Sequence, residues 1–188
     1  KENNIAPKIS VGICYSHQDE KADIHALVDH ASIARVVNNQ YSGVLFNVYD
    51  SSIEETYNSE AEIESRMEKD LSDGHFKLFF QPKYNIQQDI MDSAEVLVRL
   101  YNAETKTYTF PDKFIGLFEV NGFIVKMDRF VFERTCEVLQ TCMERGEKTV
   151  PLSVNVSRVS AIQEDFVSYY ISVKEKYNIP NDYITLEF

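Results

Sequence analysis

Basic side chains are scarce in this chain. Lys and Arg number 19 against 30 Asp and Glu, leaving a net charge of −11. A surface that acidic repels nucleic acid polymers and anionic membranes alike, although a phosphorylated ligand can still be held locally through metals and a single Arg. No apolar run approaches the roughly 20 residues that cross a bilayer, and no signal peptide opens the chain. Cysteine is sparse as well: Cys14, Cys136 and Cys142 form no CxxC pair, and their odd number fits reduced thiols in a cytoplasmic protein. What is plentiful is core material. Hydrophobic residues make up 44%, with eleven Tyr and twelve Phe, enough for one large domain or two small ones. The chain opens on Lys1 rather than Met and stops at Phe188 inside an apolar alternation, the pattern expected of a piece cut from a longer polypeptide.

In chain order, Ile9 to Tyr15 reads as a short strand, Ser16 to Lys21 as a polar loop, and Asp23 as a helix N-cap. Ile24, Leu27, Val28, Ala31 and Ala34 recur at helical spacing; Tyr41-Ser42-Gly43 breaks the helix, and Val44 to Tyr49 reads as a second strand. His25 and His30 are expected as surface or boundary histidines rather than as ligands. Asp50 to Asn58 reads as an acidic linker, followed by a capping box at Ser59-Glu60-Ala61-Glu62 and a helix through Ile63, Met67 and Leu71 that Gly74 stops. That face also suits a seam between subunits. From His75 strands and helices alternate: a strand at Phe76 to Gln81, then a turn-like segment and a second strand around Glu95, a short helix from Pro111, and a long amphipathic helix from about Lys126 to Gly146. A strand at Val150 to Ser157, a helix through Phe166 to Val173 and a strand at Tyr183 to Phe188 follow. Such spacing implies parallel pairing through crossover helices.

The stretch Ser93 to Leu100 organises the rest. Side chains alternate across a strand, so Ala94, Val96, Val98 and Leu100 share an apolar face while Glu95, Leu97 and Arg99 share the other. An acid and a guanidinium on an inward face cost several kcal/mol unless compensated. A metal ion for Glu95 and an anion for Arg99 compensate them; so does an ion pair on a solvated face. The other strands repeat the parity, with Gln81, Asn155 and Glu187 each opposite a greasy face. Strands in a doubly wound sheet are usually apolar on both faces, so a polar second face suits a barrel whose inward side chains form a site. Glu95, Asn155 and Glu187 supply oxygen only, which favours Mg²⁺ or Mn²⁺ over Zn²⁺. Taken singly, Asn155 also fits a strand residue satisfied by backbone, and Glu187 a fraying end.

These residues resemble the EAL family of cyclic di-GMP phosphodiesterases. Phe79-Phe80-Gln81-Pro82 is similar to the family's "YQP" strand, and Ala94 to Arg99 (AEVLVR) to its "AEALLR" signature. Pro111 to Ile124 resembles "P.EFIPLAEETGLI", Lys126 to Glu133 "LGRWVLEQ", Leu152 to Ser157 "LAVNLS", and Leu186-Glu187 the start of "LEITE". More weakly, residues 1–50 resemble the tail of a GGDEF domain, with "ISVGIC" set against "SIGIA".

The resemblance implies an α/β fold: the first four strands of a TIM-type (β/α) barrel at 74–188, a linker and connecting helix at 51–73, and a small GGDEF-like segment at 1–50. It implies Glu95, Asn155 and Glu187 as metal ligands and Gln81, Leu97 and Arg99 as substrate-binding residues. Arg99 meets phosphate, where its planar fork fits better than a lysine. It further implies two Mg²⁺ or Mn²⁺ ions, cyclic di-GMP as partner, hydrolysis to linear pGpG by metal-activated water, and room for a homodimer in the full-length protein. No catalytic residue is assigned within the chain, because the general base, the family's later acidic pair, its lysine and its last glutamate fall beyond Phe188. The chain alone is therefore expected to be inactive and, with an open sheet edge, to self-associate. Val96 and Gly116 depart from the family's Ala and Pro. A degenerate EAL domain that senses cyclic di-GMP or a protein partner, and a plain α/β domain, are the rival readings.

Overall fold

The computed structural model describes residues 9–16, 23–41 and 46–188. The expected loop at Ser16 to Lys21, apart from Ser16, the break at Ser42-Gly43 and the strand positions Val44 and Leu45 lie outside them. Two compact units separate at Arg66/Met67.

In the first unit, strands β1 (Val11–Ile13) and β2 (Phe46–Val48) pair in parallel, with helix α1 (Ile24–Tyr41) between them in sequence. Asp23 caps α1 as expected, its Oδ1 accepting from the His25 N–H at 3.0 Å. Gly12 is dictated by contact: a Cβ there would stand 1.8 Å from the Ala31 carbonyl oxygen. Only glycine lets β1 and α1 approach so closely. His25 is exposed, and the His30 ring stacks on Tyr49 with centroids 4.1 Å apart.

Helix α2 (Ser51–Ser72) corrects one expectation. It starts eight residues before the capping box read at Ser59, so that Ser59 lies inside it and residues 51–58 are helix rather than linker. Asp50 is the cap: its Oδ1 accepts from the Ile53 N–H at 3.0 Å and from Ser52 Oγ at 2.6 Å. Ile53 is buried, and nothing between Ser51 and Ser59 is Gly or Pro, so the first good capping residue wins. The far end ends as expected. Gly74 has φ 70°, its N–H reaches the Leu71 carbonyl, and the His75 N–H reaches that of Asp70, closing a left-handed C-terminal cap.

In the second unit, β3 (Phe76–Asn85), β4 (Ile90–Asn102), β6 (Leu152–Asn155) and β7 (Ile184–Glu187) lie side by side in that order, and the short β5 (Thr107–Thr109) pairs with the end of β4. The parallel pairing expected through crossover helices holds for β4–β6 and β6–β7, while β3 and β4, with the expected turn-like segment between them, are antiparallel. Four residues, 86–89, join them. A parallel crossover needs a dozen or more. Both strands also run further than expected, since Pro82 sits in register with Ala94 on edge strand β3, where a missing N–H is tolerated.

Helices α3 (Ile115–Asn121), α4 (Ile124–Glu144), α5 (Arg158–Ala161) and α6 (Phe166–Lys176) complete the unit. The core holds Val96, Leu100 and Val154 from the sheet with Phe76, Phe114, Phe118 and Phe123, all at most 4% exposed. The Phe118 and Phe123 rings meet edge to face at 4.8 Å, and Phe132 of α4 packs against Tyr170 of α6 at 4.6 Å. The buried face of α4 is Ile124, Met127, Asp128, Val131, Phe132, Thr135, Cys136 and Leu139. The expected Val138 and Cys142 are only half-buried. Burial pushes the Cys136 thiol up to about 12, so it serves as core and not as a nucleophile. Among the described residues, no helix is long and apolar enough to cross a membrane.

Candidate active site

The polar-face positions Glu95, Asn155 and Glu187 of β4, β6 and β7 come together near the ends of β6 and β7. Asn155 Nδ2 donates to Glu95 Oε1 at 2.7 Å, and Asn155 is the register partner of Glu187 on the neighbouring strand. Gln81 stands opposite Glu95 across the β3–β4 ladder. Four of the six expected site residues thus occupy adjacent positions on one face. The Asn155 amide uses its N–H on Glu95, leaving its oxygen open. No cluster of three His, Cys, Asp or Glu suited to a metal exists among the described residues. The converging donors are instead two carboxylates and an amide oxygen, a set of hard ligands that suits Mg²⁺ or Mn²⁺.

Lys83, unassigned from the sequence, sits among them. Its Nζ donates to Glu187 Oε1 and to Ser153 Oγ, both at 2.9 Å. The Lys83 ammonium, with help from Ser153, holds the Glu187 carboxyl below the usual carboxylate range, while Glu187 and more distantly Glu95 raise the Lys83 amine. The site therefore keeps Glu187 ionised. Lys83 shares the parity of Gln81, but reading the strand as ending before Pro82 hid it.

Arg99 lies further along the same face of β4. Its guanidinium rests 4.8 Å from the centre of the Phe110 ring, and one N–H donates to the Val98 carbonyl at 2.7 Å. It makes no bond to Glu95 in this arrangement; its remaining donors are available to an anion. Phe79, opposite Leu97, meets Tyr108 edge to face at 5.2 Å, so aromatic rings border this stretch. Leu97 and Asn155 also line a cavity of about 320 Å³ whose other polar lining is Glu119, Asp128 and Ser157.

Asp128 is a second residue with no role assigned from the sequence. It is 4% exposed, and its Oδ2 accepts from the Ser157 N–H at 2.9 Å and Ser160 Oγ at 2.6 Å. Burial pushes its carboxyl up to about 6; the two hydrogen bonds oppose the rise and Glu119 adds to it. A group whose folded pKa lies above its unfolded value of 3.8 stabilises the fold at low pH and loses that contribution as pH rises through the folded value. The loss is on the order of 3 kcal/mol at 1.36 kcal/mol per unit. Asn retains an acceptor oxygen without the charge. Asp128→Asn is therefore expected to gain stability over the parent between pH 4.5 and 7.5, by roughly 2 kcal/mol in urea unfolding. An equal difference at both pH values would show that Asp128 does not titrate in this window.

A family model for the EAL domain matches residues 64–188. The signalling protein YkoW of Bacillus subtilis is 20% identical over 187 residues, covering 100% of this chain and 23% of YkoW. The cyclic di-GMP phosphodiesterase NbdA of Pseudomonas aeruginosa is 30% identical over 110 residues, 56% of this chain and 14% of NbdA. The chain thus spans less than a quarter of the length of either relative. Among solved structures, a c-di-GMP complex of the PaMucR phosphodiesterase shares the fold with a TM-score of 0.63 at 20% identity, over 68% of this chain and 51% of that one. With the model covering most of the chain and both signature strands within it, the protein belongs to the EAL domain family.

Proposed function

We propose that the protein is a phosphodiesterase that hydrolyses cyclic di-GMP to linear pGpG with Mg²⁺ or Mn²⁺, and that this chain carries the metal-binding and phosphate-binding strands of its active site. The observation that carries this reading is the convergence of Glu95, Asn155 and Glu187 on adjacent strands, with Gln81 in register opposite Glu95. A relative that is a cyclic di-GMP phosphodiesterase, 30% identical over 110 residues, supports it.

A divalent cation at such a site lowers the pKa of water and neutralises charge building on phosphoryl oxygens. Glu95, Asn155 and Glu187 hold it, with Lys83 steering Glu187. Two ions are the expected complement. Gln81 and Arg99 hold the dinucleotide, Arg99 through phosphate with its fork braced by Phe110, and Leu97 packs against the ligand. In the same reading residues 74–188 form the leading strands of a TIM-type barrel, to which the parallel β4–β6–β7 order is suited. Residues 1–50 form the end of a GGDEF domain, to which the parallel β1–α1–β2 unit is suited.

The whole protein, incubated with cyclic di-GMP and Mn²⁺, is expected to release pGpG on ion-exchange chromatography and to stop when EDTA is added. Binding of cyclic di-GMP without release would replace the enzyme with a sensor. Neither binding nor release would overturn both.

A further inference from the structure

Asn155 is the last residue of β6 and is itself exposed, so its direction depends on the backbone that follows it. That backbone is fastened at several points. The Val156 N–H donates to the Glu187 carbonyl at 2.8 Å. The Ser157 N–H and Ser160 Oγ both donate to one oxygen of Asp128 on α4. Ser157 Oγ donates to Glu119 Oε1 of α3 at 2.5 Å and accepts from the Val159 N–H at 3.1 Å, capping α5. Two acids on two different helices thus grip the turn that begins at Asn155. Asp128 interrupts an otherwise largely apolar buried face of α4, and its burial raises its pKa. Neither is expected of a residue placed for stability alone.

We propose that Asp128 and Glu119 are positioning residues that act through Ser157 to fix the turn after β6, and so aim Asn155 at the cation held with Glu95 and Glu187. The assignment rests on the metal-site reading given above. The physical basis is leverage: Asn155 has no side-chain brace other than Glu95, so freeing Ser157 lets the strand end pivot and carries the amide oxygen away from the cation. Partners one step removed from a metal ligand typically change affinity 10–100-fold.

The test measures Mn²⁺ binding to the whole protein by electron paramagnetic resonance, with thermal melting beside it. Asp128→Ala, which removes the oxygen that accepts both hydrogen bonds, is expected to weaken Mn²⁺ binding about tenfold, and Asp128→Asn, which keeps an acceptor oxygen, to restore it. Ser157→Ala, which frees the turn from Glu119 without touching the core, is expected to weaken binding too. It decides the matter if Asp128→Ala does not fold. Asn155→Ala is the control for the reading beneath. If Asn155→Ala abolishes Mn²⁺ binding while folded Asp128→Ala and Ser157→Ala bind as the parent does, the positioning role is wrong and the metal site stands. If Asn155→Ala itself binds Mn²⁺ normally, the metal site is wrong.

Discussion

Replacing Glu95 by Gln is expected to weaken Mg²⁺ or Mn²⁺ binding by more than about 100-fold in the whole protein and to abolish pGpG release. Residues that only support a metal ligand typically change affinity 10–100-fold when replaced, and loss of a charged ligand exceeds that. Gln keeps an oxygen where Glu95 Oε1 now accepts from the Asn155 amide, so the hydrogen bond between β4 and β6 survives and the strands remain paired. Thermal melting is therefore expected to stay close to that of the parent while cation affinity falls, separating ligation from folding. Calorimetric titration with Mn²⁺ measures the first and circular dichroism the second. Unaltered Mn²⁺ affinity in Glu95→Gln would remove Glu95 from the site and leave its pairing with Asn155 a strand-to-strand contact.

The residues that converge were legible because a strand has a period of two. Glu95, Asn155 and Glu187 could be placed on one face without knowing which strands are neighbours, and the observed β4–β6–β7 register puts them side by side. The caps at Asp23 and Gly74 were legible for a similar reason, since each is decided within a few residues. Asp50 shows where local reading fails. Two adequate capping residues, Asp50 and Ser59, stood nine residues apart, and the choice between them depended on burying Ile53, which is a tertiary fact.

Lys83 and Asp128 were hidden for different reasons. Pro82 looks like the end of a strand unless the strand is known to be an edge, and only pairing reveals that. Asp128 did carry a signal. It lies one position from Met127, three from Val131 and four from Phe132, inside the apolar stripe of α4. A lone acid in such a stripe is costly to bury, and its partners, Ser157 and Ser160, are about thirty residues away in the chain. The short turn between β3 and β4 was legible, and only the pairing itself shows that it closes an antiparallel hairpin.

Arg99→Ala is expected to raise the dissociation constant for cyclic di-GMP about 10- to 100-fold while leaving Mn²⁺ affinity intact, since a charge-assisted phosphate contact is typically worth roughly 1.5–3 kcal/mol. The structure defines what competes with this role. Arg99 already has a neighbour in the Phe110 ring and donates one N–H to the Val98 carbonyl, and a purely structural arginine would be content with both. Two further variants separate the possibilities. Arg99→Lys keeps the charge but loses the planar fork, so it is expected to recover little of the lost affinity if phosphate is gripped by two parallel N–H bonds. Phe110→Leu removes the ring that braces the guanidinium without touching a donor, and is expected to weaken binding less than Arg99→Ala does, because the fork must then be ordered by the ligand itself. Calorimetry in EDTA, which is expected to stop turnover, reads all three. Cyclic di-GMP affinity unchanged in Arg99→Ala, together with a lowered melting temperature, would make Arg99 a strand-end brace and move the phosphate contact elsewhere on this face.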